Sequence, residues 1–162
     1  MNALFAPPEQ AWQRISPAYA QVRRIHAAIN VAVVTAMAAT PLWLLLDRTW
    51  GIVAIVAGVG YYVWRWFQLK RWVGAWGYAE ADDDLYLTHG LWFRRLLVIP
   101  YGRMQAVKVE SGPITRMFGL ASVELVTASV QSGATIPGLP QADAERLRDR
   151  LTALGIGDED DL

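Results

Sequence analysis

From Ala27 to Leu46 the chain reads AAINVAVVTAMAATPLWLLL, about twenty residues without a charge. At about 1.5 Å per residue, a helix of that length covers roughly 30 Å, the thickness of a bilayer's hydrocarbon core. Asp47 and Arg48 interrupt the run, and apolarity resumes at Thr49 and lasts through Trp64. That second stretch alone covers only about 24 Å. The second helix is therefore extended to Leu69, with the Arg65 side chain reaching back to the interface. A connection this short makes the two helices antiparallel, so the chain is expected to carry a membrane α-helical hairpin with spans 27–46 and 49–69.

Ala36-Met37-Ala38 matches the small-x-small pattern of a signal-peptide cleavage site, but the apolar run continues past it to Leu46. The residues before the run are also too many for an ordinary positively charged leader, so the span reading is kept. Arg14, Arg23 and Arg24 precede the first span, Arg65 follows the apolar run of the second and Lys70 and Arg71 follow the span itself, whereas the connecting loop holds one Arg beside one Asp. The positive-inside rule then places both termini in the cytoplasm. Trp43, Trp50, Trp64, Trp66, Trp72 and Trp76, six of the eight tryptophans, bracket the apolar runs, as amphipathic rings at headgroup level do. Ala28, Ala32, Ala36 and Thr40 recur every four residues, and Ala54 and Gly58 offer a matching groove on the second helix, so these positions are expected to form the interhelical contact. Pro41 should kink the first span near its outer end.

After Gly74 the pattern changes to short alternating runs separated by turn residues, the signature of strands. Strands are expected at Trp76 to Ala81, Leu85 to Thr88, Leu91 to Ile99, Met104 to Glu110 with Val107 and Val109 on one face, Ala121 to Thr127 with Val123 and Leu125 inward, and Ala134 to Pro137. Asp82-Asp83 and His89-Gly90 read as tight turns, and Ile114 to Leu120 as a helical turn closed by Gly119. Pro140 opens a helix from Gln141 to Leu154 with Gly155 as its stop, and Ala144, Leu147, Leu151 and Leu154 share its apolar face. The organisation expected is a juxtamembrane segment 1–26, the hairpin, a domain at 74–155 and an acidic tail at 156–162. That tail lacks the ligand spacing and glycine of an EF-hand.

The run Ile99-Pro100-Tyr101-Gly102-Arg103-Met104-Gln105-Ala106-Val107, then Gly112-Pro113, Arg116, Gly119-Leu120-Ala121, Val123, Thr127-Ala128 and Pro137-Gly138-Leu139-Pro140, resembles the bacterial PH-like domain of YdbS-like membrane proteins. That family couples two transmembrane helices to one such domain, so the resemblance covers nearly the whole chain. It implies an α+β PH-like fold, an antiparallel β barrel or sandwich capped by a C-terminal helix. It also implies a bacterial inner (plasma) membrane location, and a larger membrane protein with several PH-like domains as a partner.

The residues offer little chemistry. Lys plus Arg equals Asp plus Glu at 15 each, so no global positive field attracts nucleic acid, and there is no cysteine for a disulfide or thiolate. His26 sits among arginines and His89 in a turn, no Ser occupies a G-x-S-x-G elbow, and Gly58-Val59-Gly60 lies inside a span. Asn30 and Thr35 are the polar residues of the first span, read as interhelical hydrogen-bonders rather than a transport route. Asp82-Asp83-Asp84 reads as a solvated turn; it places acid where phosphoinositide-binding PH domains carry base. No catalytic, cofactor or metal site is expected. Arg103 and Arg116, near one central loop, and Arg95, beside Arg94 on the third strand, are the candidate anion or partner contacts. Arg23, Arg24, Arg65, Lys70 and Arg71 are expected to attract anionic lipid.

These readings converge on a non-enzymatic, membrane-anchored interaction or scaffold module that assembles with another membrane protein or with itself as a homo-oligomer. The alternatives are an anionic-lipid or envelope-stress sensor and, third, an accessory subunit of a membrane enzyme or transport complex.

Overall fold

A computed structural model describes residues 11–127 and 134–157. Ala128 of the quoted signature and the tail from 158 onward lie outside the described residues. The chain divides into two units, Ala20–Arg71 and the remainder.

The first unit is the helical hairpin, α1 (Tyr19–Leu45) and α2 (Arg48–Val73), each long and apolar enough to cross a membrane. α1 continues through Pro41. The turn between them is compact: the Leu46 and Asp47 N–H groups donate to the Leu42 carbonyl, and Trp50 N–H donates to Asp47. A Cβ on Gly51 would lie 2.8 Å from the Trp43 ring, and one on Gly58 would collide with the Thr35 hydroxyl and methyl. Glycine is what allows α2 to approach α1 at those two positions. Toward the other end of the hairpin, the Arg24 guanidinium lies 4.0 Å from the Trp66 ring centroid, a cation–π contact that holds this juxtamembrane arginine against α2.

The second unit is a PH-like sandwich. A four-stranded antiparallel sheet has the order β1 (Gln13–Arg14), β2 (Gly77–Glu80), β3 (Asp84–His89), β4 (Arg95–Pro100). A three-stranded sheet follows, β5 (Met104–Glu110), β6 (Leu120–Thr127), β7 (Ala134–Pro140), with α3 (Pro113–Met117) between β5 and β6 and α4 (Gln141–Gly157) at the end. Alternation drives the packing: Leu85 and Leu87 of β3, Val123 and Leu125 of β6 and Ile136 of β7 are buried, and α4 adds Ala144, Leu147 and Leu151. Gly119 and Gly138 adopt φ of +64° and +68°, the left-handed region that favours glycine. At Gly138 a Cβ would also meet the Tyr19 ring, 2.6 Å from its Cβ.

Four expectations are corrected. The segment before the hairpin is not merely juxtamembrane, because Gln13 and Arg14 pair with Tyr78 and Gly77 as the edge strand of the first sheet. Ile15 is buried, Ser16 N–H donates to the Gly138 carbonyl at 2.9 Å, and the Tyr78 hydroxyl donates to Gln13 at 2.6 Å. The domain is therefore discontinuous in sequence, its first strand separated from the rest by both membrane helices.

The third predicted strand does not begin at Leu91. The β3–β4 ladder closes at His89 opposite Arg95, and Gly90, with φ +112° and no room for a Cβ beside the Phe93 carbonyl, turns residues 90–94 into a loop. Arg94 accordingly lies off the strand. The last helix does not stop at Gly155 but runs to Gly157, because a glycine weakens a helix by about 1 kcal/mol without ending it. Leu154, at 36% exposure, falls outside the buried stripe.

Candidate functional site

The strand register gives the first sheet two chemically distinct ends. Arg14 lies opposite Gly77, Gly77 opposite Thr88, and His89 opposite Arg95. Three connections therefore leave from one end: residues 15–18 toward α1, residues 74–76 from α2, and the 90–94 loop. The other end carries the Asp82-Asp83-Asp84 turn. There Tyr101 N–H donates to the Asp83 carbonyl, and the Tyr101 hydroxyl donates to Ala81 at 2.9 Å. A polar cleft at that end is lined by the three aspartates, Gly102, Arg103 and Leu154.

The end that carries the connections is braced by aromatic rings. Trp72 meets Trp76 edge to face at 5.3 Å, and Trp76 stacks on His89 at 4.8 Å with 22° between planes. Burial pushes the His89 imidazole below its ordinary value, and the Arg95 charge pushes it further the same way. The folded state thus prefers the neutral ring. As pH falls below the ordinary value of 6.5, the unfolded chain takes up the proton first, so stability present at neutral pH is lost through the folded value. Thermal unfolding of the detergent-solubilised protein is expected at lower temperature at acidic than at neutral pH, and His89→Asn should flatten that difference. An unchanged pH profile in the variant would assign the dependence elsewhere.

The predicted contact residues are not brought together. Arg103 precedes β5 and Arg116 belongs to α3 after it, so a seven-residue strand, about 20 Å long, separates them. The single central-loop pair is thereby corrected to two distant arginines, with Arg103 beside the acidic turn. Arg95 starts β4 at the opposite end of the sheet from that turn. All three are exposed, as are Lys70 and Arg71, while Arg23, Arg24 and Arg65 are half-buried.

The helix-packing row is also shifted. From Ala28 to the end of α1 the less exposed positions are Ala28, Val31, Thr35, Ala39 and Leu42; on α2 as far as Trp64 they are Gly51, Ala54, Gly58 and Tyr62. Ala32, Ala36 and Thr40 are exposed, one residue round the helix from the seam, because Thr35 is the side chain that fills the gap at Gly58. They line an open apolar groove of about 620 Å³ whose other wall includes Ile55, Gly58, Val59 and Tyr62. Asn30, expected to bond across the helices, is exposed instead.

One charge cluster escaped the sequence reading. The Glu80 side chain, 4% exposed, accepts from Arg146 at 3.0 Å and pairs with Arg150 at 2.9 Å, joining β2 to α4. The i, i+4 spacing of the two arginines was visible, but their partner lies far away in sequence.

Two helices fit to span a bilayer, placed between the first and second strands of a four-plus-three PH-like sandwich, define a membrane protein carrying a PH-like domain. Residues 22–154 match the bacterial PH domain family, and the chain belongs to that family. The transmembrane protein YdbS of Bacillus subtilis (strain 168) is 26% identical over 171 residues, which cover 95% of this chain and 99% of that protein. No solved structure matches the chain significantly.

Proposed function

We propose that the chain is a non-catalytic, membrane-anchored interaction module whose hairpin docks a helix of another membrane protein or of a second copy. The observation that carries this reading is the open row Ala32, Ala36 and Thr40 beside the seam. Small residues let a third helix approach closely and gain dispersion contacts that lipid tails do not supply as well. The Thr40 hydroxyl already donates to the Ala36 carbonyl at 2.7 Å, so the row presents little unsatisfied polarity to that helix. The asymmetry of basic residues supports a plasma-membrane hairpin with both termini cytoplasmic, where the domain could meet a cytoplasmic partner. A headgroup sensor built from Arg103 and Arg116 together is less well supported, given their separation.

In-cell crosslinking followed by purification in mild detergent tests the assembly. The wild type should be recovered in a defined complex, and Ala32→Leu with Ala36→Leu should reduce that complex about tenfold or more, as expected for a loss above about 1.4 kcal/mol. Recovery of the wild type as a bare monomer, or an unchanged complex in the double variant, would reject the reading.

A further inference from the structure

The 90–94 loop presents Trp92 and Phe93 at 82% and 86% exposure, followed by the exposed Arg94 and Arg95. Two adjacent large aromatics standing this far out of a sandwich with a well-filled core have no role in folding it. Gly90 closes the loop tightly enough that the pair is held at a tip. The same end of the sheet emits both connections to the membrane helices, and only three residues, Gly74, Ala75 and Trp76, separate α2 from β2. Fully extended, three residues reach about 10 Å. Two turn hydrogen bonds, Ala75 N–H to Trp72 and Trp76 N–H to Val73, shorten even that reach.

We infer that the tip formed by Trp92, Phe93 and Arg94 of the 90–94 loop, with Arg95 at the start of β4, is a second membrane contact, seated in the headgroup layer of the bilayer that the chain's own helices cross. Its occupant is the lipid surface itself, anionic lipid in particular. Aromatic rings partition to the headgroup boundary, and adjacent arginines are attracted to the negative surface potential there. The domain's charge distribution matches: the basic-aromatic tip is at the end of the first sheet that carries the connections, and Asp82, Asp83 and Asp84 occupy the other end of that sheet. This inference goes beyond helix assembly and does not depend on it.

The absence of native cysteine makes a direct test available in the full-length protein. Trp92→Cys, Phe93→Cys and, as the remote control, Asp83→Cys are each labelled with an environment-sensitive fluorophore. The proteins are reconstituted into phosphatidylcholine vesicles with or without phosphatidylglycerol. Labels at 92 and 93 should be quenched severalfold more by brominated lipid than the label at 83, and more strongly when phosphatidylglycerol is present. Arg94→Gln with Arg95→Gln in the Phe93→Cys background should remove the phosphatidylglycerol dependence. Equal lipid quenching at 92, 93 and 83 would overturn the inference, because the tip would then lie no closer to lipid than the remote control, whatever the state of the helix complex. Shielding from water at 92 and 93 without lipid quenching would overturn it in favour of a protein contact. A phosphatidylglycerol effect that survives loss of both arginines would overturn their assignment.

Discussion

A soluble fragment from Trp72 to Gly157 is expected to lose cooperative folding, and joining residues 11–18 to it through a short flexible linker in place of the hairpin should restore it. The fragment lacks β1. Burying Ile15 is worth about 2–3 kcal/mol, and the Ser16–Gly138 and Gln13–Tyr78 hydrogen bonds about 1 kcal/mol each. Against a total stability of about 5–15 kcal/mol for a domain of this size, that loss is large. It also uncovers the β2 edge with the otherwise buried Tyr78 beside it. Thermal melts followed in the near ultraviolet decide the matter: a fragment that unfolds as sharply and at the same temperature as the spliced version would show that β1 is dispensable.

The second large effect concerns Glu80, and it should be asymmetric. Arg146 and Arg150 are about half exposed, so in Glu80→Met they can turn into water, and the cost should stay near 1–2 kcal/mol. In Arg146→Met with Arg150→Met the carboxylate remains at 4% exposure without either cation, and the cost should approach about 3–5 kcal/mol. Chemical denaturation of the three proteins in the same detergent measures the ordering. If Glu80→Met proves the more damaging, the cluster's energy resides in packing of the glutamate stem rather than in compensation of its charge.

What the sequence made legible follows from the range over which each signal acts. The hairpin could be read from two uncharged runs because a bilayer imposes a length on every residue within them. β5, β6 and the buried face of α4 were readable because Val107, Val109, Val123, Leu125, Ala144, Leu147 and Leu151 repeat at the period of their element. β1 has two residues, too few to show a period, and its partner strand lies beyond both helices. The false start of β4 has a local cause: Leu91, Trp92 and Phe93 have strong strand propensity, but the Gly90 backbone turns them out of the ladder. A strict spacing of four picks out Ala28, Ala32 and Ala36, while the seam moves between spacings of three and four and selects Thr35 for Gly58. Glu80 carried no signal, since a single carboxylate in a short strand does not reveal which distant cations will close over it.

The pairing of Arg14 with Gly77 also fixes an order of events during synthesis. The first strand leaves the ribosome well before its partner exists, and at about 5–20 residues per second the intervening residues delay that partner by several seconds. During that interval both helices can enter the membrane while the amino-terminal segment has nothing to pair with. Insertion of the hairpin then turns a long, costly loop into a short one, so β1 is delivered to β2 by the bilayer rather than by chance encounter. A ribosome-bound chain stalled before Tyr78 should accordingly leave residues 13–16 open to protease, and their protection should appear only after the carboxy-terminal strands have been made.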